Sequence, residues 1–289
     1  MLVKVATARY TFSIMNSEPY IPQLNVVYPS SLDEHTIDLN ITHEVIVDEN
    51  YPFLDKSFSF NFMRGLMHLG IFVMVFFLSH LRFGLKIEGR KILRKHRKLL
   101  KNGAITVSNH IHKWDFLFVL EAVRFRMMYF PAWKENLNTP DEKFVRYSGG
   151  IPIPDNLHLI KYFNQAFDEI YAMKKWIHAY PEQALFYFFQ PIRPFKKGVF
   201  TMAHRYHLPV IPIAFSYREP HFPFTLVNGF RTLTGNQKLP MITLRIGEPL
   251  LIDQNLPRRE AVQKLRRDCH KAVVRLAGIT DNPYPAEGD

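Results

Sequence analysis

Residues 104–123, AITVSNHIHKWDFLFVLEAV, change character halfway. The opening AITVS is a short apolar run with β-branched residues, and it reads as a strand. From Trp114 the apolar side chains run on without turn residues, as in a helix. Between them stand Asn109, His110 and Asp115. The chain downstream repeats this alternation. MMYFP, WIHAY, LPVIPIAF and MITLRIG are strand candidates. HLIKYFNQAFDEIYAMKK sets Ile160, Phe163, Phe167, Ile170 and Tyr171 on one helical face, and KKGVFTMAHRYH is also helical. PRREAVQKLRRDCHKAVVRLAG is an amphipathic helix through Val262, Leu265, Cys269, Ala272, Val273 and Leu276, with Gly278 as its stop. Such alternation predicts an α/β domain: a mixed, largely parallel central sheet covered by helices. Ligands in such folds sit beyond the carboxyl ends of strands, and the Asn-His pair lies at such an end.

The outer regions read differently. Residues 1–57 form an extension in which QLNVVY and IDLNITHEVIV look like short strands. The N-terminal MLVKVATARYTFSIM has no apolar centre of secretory type. Residues 58–83 hold the most apolar run, LMHLGIFVMVFFLS, of 14 residues. As a helix that run spans about 21 Å, short of a bilayer core of roughly 30 Å. Residues 82–101 follow with nine Lys/Arg and one acid, out of a chain net charge of +11. Apolar-then-basic is the pattern of a short membrane-docking helix, on the cytoplasmic face of a membrane. Residues 84–289 are then the main domain. One cysteine excludes an internal disulfide and any multi-Cys metal site. The pairs His110/His112 and His204/His207 lack a carboxylate cluster, so no metal is expected. No Gly-x-Ser-x-Gly elbow and no nucleic-acid motif is present.

His110 is a candidate general base, with Asp115 holding one ring nitrogen so that the other is free to take a proton. Five positions apart on one helix the two side chains would point about 140° apart. They meet only if the chain turns between them, as a strand-to-helix junction allows. The alternative is a hydrogen-bonded core histidine, with Asp115 capping the helix that follows.

NHIHKWD fits the Asn-His-x4-Asp motif and so resembles the glycerolipid acyltransferase family, which includes the 1-acylglycerol-3-phosphate acyltransferases. WKENL, GGIPIPDN, YPEQALFYFFQPIRPFKKGVF, LPVIPIAF and RIGEPLLID resemble its later blocks, in order. The resemblance implies acyl transfer from acyl-CoA or an acyl-carrier protein to a lysophospholipid hydroxyl at a membrane surface, with no other cofactor. His110 would deprotonate the hydroxyl and Asp115 would orient His110. Asn109 would belong to the substrate site and Glu182 would orient the acceptor.

Two departures stand out. The third block usually reads Phe-Pro-Glu-Gly-Thr-Arg, and its Arg grips the acceptor phosphate. Here Gln183, Ala184 and Leu185 replace Gly-Thr-Arg. The second block usually ends in Arg, where this chain has Asp155 and Asn156. One expectation is that Arg193, Lys196, Lys197 and Arg146 take over beside Gln183, keeping 1-acylglycerol-3-phosphate as acceptor. The other is an acceptor without a phosphate monoester. A reading from another class is an inactive membrane-binding homologue.

Overall fold

The computed structural model describes residues 20–36 and 38–286. Seven strands form one sheet: β1 (Lys86–Glu88), β2 (Ile105–Val107), β3 (Met128–Ala132), β4 (Gly150–Pro152), β5 (Trp176–Ala179), β6 (Val210–Arg218) and β7 (Met241–Ile246). Their order is β1-β7-β6-β2-β5-β3-β4. All neighbours are parallel except β6 and β7. The sheet is therefore mixed and largely parallel, with β1 and β7 reversed against the other five.

Both faces are covered, and β6 shows why its sequence has few polar residues. Val210 and Ala214 face one core, shared with α5 (Ile160–Ala172), α6 (Gly198–Tyr206) and α8 (Arg258–Ala277). Ile211, Ile213 and Phe215 face the other, shared with α1 (Phe58–Phe76) and α3 (Asp115–Ala122). All eight residues of α3 are buried, which explains its apolar run without a polar face. Between these elements lie α2 (Arg90–Lys95), α4 (Glu142–Ser148) and α7 (Phe224–Leu233). Cys269 is a buried core residue of α8.

Three differences from the sequence reading matter. First, the extension forms no strands over its described residues. It runs extended over the domain and bonds to loops, as where Thr42 N–H donates to Asn138 O (2.9 Å) and Val45 N–H to Asn138 Oδ1 (2.8 Å). Its β-branched alternation finds no neighbouring strand to complete a ladder. Second, the apolar helix is longer than its apolar run. Ser57 caps it by accepting from Phe60 N–H (3.3 Å), and it continues past α1 in wider, π-helical turns to Arg82. The whole has 25 residues, long and apolar enough to cross a membrane by length and composition. Arg64 does not interrupt it, because it is buried with its guanidinium 4.1 Å from the centre of the Tyr129 ring and donates to the Tyr129 hydroxyl. Ile71 and Val75 seal one face of the helix into the core, so it lies along the domain. Third, α7 is an added helix, unannounced by any buried stripe.

Candidate active site

The site grows from the end of β2. The strand ladder stops at Val107, and Asn109 extends it with its side chain. Asn109 Oδ1 accepts from Phe215 N–H (2.8 Å) and its Nδ2 donates to Phe215 O (3.1 Å). Buried and engaged at both ends, Asn109 ties the loop to β6. This fixes the backbone from which His110 projects.

Asp115 is the first residue of α3 and is 1% exposed. Its Oδ2 accepts from His110 Nδ1 (2.8 Å), Ile111 N–H (3.0 Å) and His112 N–H (3.2 Å). Its Oδ1 accepts from the Tyr180 hydroxyl. The backbone N–H groups it accepts from belong to the loop before α3, whose first turn has no side-chain cap, so the carboxylate orients His110 and braces the turn rather than capping the helix. Burial pushes Asp115 upward, but the charge of His110 and the donors from His110, Tyr180 and Ile111 hold it below the usual range. An ionised Asp115 makes Nδ1 of His110 the donor, which leaves the Nε2 lone pair as the acceptor. That nitrogen has no hydrogen bond to the described residues, and the side chain is 17% exposed. The Tyr180 ring stacks on the imidazole, centroids 3.8 Å apart and planes at 14°.

Behind the dyad lies a buried ion pair. Glu182 follows β5 and accepts from His110 N–H (3.0 Å), Arg193 N–H (2.8 Å) and the Arg193 guanidinium (3.2 Å). Arg193 is 1% exposed; it also donates to Leu32 O (3.1 Å) and Ala184 O, and lies 3.8 Å from the Phe186 ring centre. Burial pushes Glu182 upward against the pull of Arg193 and of the two backbone N–H groups. Glu182 and Arg193, expected at the acceptor, direct their polar atoms into the protein and hold the His110 backbone.

The other expected cations are dispersed. Lys196 Nζ pairs with Asp33 (2.8 Å). Arg146 faces Asp55 (3.9 Å) and Glu142 (3.7 Å), between the rings of Tyr51 and Phe60, outside the His110 cluster. Lys197 is exposed ahead of α6, and Gln183 is exposed with φ +65°. That left-handed backbone is what the glycine of the family block would supply without strain; Gln adopts it at a cost of about 1 kcal/mol.

Two features escaped the sequence reading. Tyr180 stood in the quoted YPEQ, and only its hydroxyl distinguishes it from the Phe of the family block. The second is the segment 28–36. Its Thr36 N–H donates to Leu185 O (2.9 Å), and Leu185 N–H donates to His35 Nδ1 (3.0 Å). The Tyr28 hydroxyl donates to Tyr187 O (2.9 Å), while its ring packs on Phe186 and Phe189. These partners are about 150 residues away in sequence, as the 150 separating His35 from Leu185 shows, and no local motif could have signalled them.

The buried histidines make a prediction about acid. His112 and His178 are 2% and 0% exposed, and burial lowers each to about 3. Both stay neutral in the fold while the unfolded chain takes up protons near pH 6.5. Stability should therefore fall as pH drops below about 6.5, by about 1.4 kcal/mol per pH unit for each group. Glu182, raised in the fold, works the opposite way near its own titration and offsets part of the loss. Urea midpoints at pH 7 and pH 5 should differ by about 2–4 kcal/mol in stability; equal midpoints would show that these rings are not held neutral.

No curated protein matches the sequence significantly. Among solved structures, the 1-acyl-sn-glycerophosphate (LPA) acyltransferase PlsC from Thermotoga maritima is similar at 14% identity, with a TM-score of 0.48 over 78% of this chain and 85% of that one. The model of the family described as Acyltransferase matches residues 84–216, the stretch that contains the His110–Asp115 pair, Glu182 and Arg193. That match and the Asn-His-x4-Asp signature support a glycerolipid acyltransferase family for residues 84–216.

Proposed function

We propose that the protein transfers a fatty acyl group from a thioester, acyl-CoA or an acyl-carrier protein, to a hydroxyl of a lysophospholipid. The observation that carries this is the 2.8 Å contact of His110 Nδ1 with a buried, ionised Asp115, which leaves Nε2 able to accept a proton. Nε2 removes the acceptor's hydroxyl proton as the oxygen attacks the thioester carbonyl. The tetrahedral intermediate collapses with loss of the thiolate, which takes the proton back from His110. The ester forms without a covalent acyl-enzyme, and the buried Cys269 has no part in it. An inactive homologue would have no need of an ionised acid holding an otherwise unengaged imidazole. The test is incubation with labelled acyl-CoA or acyl-carrier protein and a panel of lysolipids, with the products identified by mass. Absence of acylated product from every pairing would defeat the reading.

The substrates are lipids, and two apolar surfaces favour work at a membrane. Along the outer face of α1, Phe62, Leu69 and Phe76 are exposed. Along α7, Leu226, Phe230 and Leu233 form a second exposed stripe. Phe224 packs at Gly84, joining the base of α7 to the end of the long helix. Residues 57–87 and 220–247 contain no Asp or Glu but include Arg82, Arg231 and Lys238. Apolar side chains with cations and no acids suit an anionic bilayer, reached from the cytoplasmic face where the acyl donors are made. Changing Phe62, Leu69 and Phe76 to Ser spares the buried face of α1. It should weaken binding to phosphatidylglycerol vesicles at least tenfold, since burying each such side chain contributes about 1.5–3 kcal/mol. Undiminished vesicle sedimentation would assign the face elsewhere.

A further inference from the structure

We infer that residues 28–36 form the acceptor-side wall of the site, and that this wall selects a lysolipid whose headgroup is not a phosphate monoester. The inference rests on the acyl-transfer reading and narrows its acceptor. The segment is built onto the catalytic loop. It meets the loop at Leu185 through both backbone groups of that residue, at Tyr187 through the Tyr28 hydroxyl, and at Arg193 through the Leu32 carbonyl. From there the path to the dyad is short: Arg193 bonds Glu182, and Glu182 bonds the backbone N–H of His110. His35 stacks on Trp133, centroids 4.2 Å apart and planes at 5°, and is close enough to His110 to feel its charge.

The chemistry of this wall does not suit a dianion. Leu185 is 5% exposed and apolar, and it occupies the place where the motif it resembles puts a guanidinium. His35 offers no positive charge near neutral pH, because burial, His110 and Arg193 lower it to about 4. Its Nδ1 is already an acceptor for Leu185 N–H. The segment adds two exposed acids, Asp33 and Glu34, and Asp33 neutralises Lys196. Arg193 is closed in on Glu182 and two carbonyls, and Arg146 is held by Asp55 and Glu142. Of the four cations considered for the phosphate, Lys197 is left, exposed to solvent, where one ammonium contributes little. Arg82 and Lys113 act at His112, and Arg82 and Arg231 at Tyr187. A terminal phosphate against the wall would exchange water for carboxylates and leucine, whereas an uncharged, zwitterionic or cationic headgroup would not.

The experiment uses the full chain in two arms. In the first, kcat/KM is measured with labelled acyl-CoA for lysophosphatidate, lysophosphatidylethanolamine, lysophosphatidylcholine and monoacylglycerol in the same detergent. Lysophosphatidate should fall at least tenfold below the best of the others. The double variant Asp33→Asn, Glu34→Gln changes two exposed side chains and frees Lys196; it should raise kcat/KM for lysophosphatidate at least threefold relative to the other acceptors. In the second arm, amide hydrogen exchange is followed at Thr36 and Leu185 with each lysolipid and no donor. The preferred acceptor should slow both amides, and lysophosphatidate should not. Lysophosphatidate as the best acceptor, or selectivity unmoved by the double variant, overturns the inference while acyl transfer stands. Exchange at both amides unmoved by every lysolipid also overturns it. Transfer to no acceptor defeats the catalytic reading instead, and the exchange arm then still decides whether the wall meets the headgroup.

Discussion

Replacing His110 with alanine is expected to slow acyl transfer by about 10²- to 10⁴-fold, the range that a positioned general base contributes. The loss should appear in kcat, because the imidazole acts on a proton that moves as the oxygen attacks. The fold should survive. Asp115 keeps the N–H groups of Ile111 and His112 and the hydroxyl of Tyr180, so its buried charge stays solvated by donors. The backbone N–H of residue 110 also remains to serve Glu182. Labelled-acyl transfer, read beside circular dichroism and a thermal melt, separates the two effects. A variant that folds normally and retains transfer within threefold of the native rate would remove His110 from the mechanism.

A second large effect is expected from Arg193→Ala, this time on stability. The change leaves Glu182 buried with only the backbone N–H groups of positions 110 and 193. Breaking one side of a buried ion pair typically costs about 3–5 kcal/mol. At a few degrees per kcal/mol the melting temperature should fall by about 10 °C. The variant also loses the donor to Leu32, which loosens residues 28–36 from the catalytic loop. Pairing Arg193→Met with Glu182→Gln should recover part of the loss, because the uncompensated charge is then gone. A melting temperature within 2 °C of native for Arg193→Ala would mean that this pair does not hold the loop.

What was legible in the sequence was local. The strand of residues 105–107, the turn after it and α3 announce themselves through side chains that answer to immediate neighbours. His110 and Asp115 lie within that one junction, so their meeting could be foreseen. Glu182 and Arg193 were also visible, but not which way they point. A charged side chain near a motif reads equally as a ligand contact or as an internal brace, and only burial separates the two. The extension misled for a related reason: its β-branched alternation is that of a strand, yet a strand needs a partner and none lies beside it among the described residues. α7 was missed because its stripe of Leu226, Phe230 and Leu233 faces outward, interrupted by Asn228 and Gly229, which weaken a helical pattern.

The stack of Tyr180 on His110 has a use outside chemistry. Protons held over the face of an aromatic ring resonate upfield of their ordinary positions. In a magnetic resonance spectrum the carbon-bound ring protons of His110, like those of His35 over Trp133, should stand upfield of those of histidines that face no ring. Their titration then offers a private window on one imidazole, and Tyr180→Leu, by removing the ring current, would identify the signal without isotopic assignment of the whole chain.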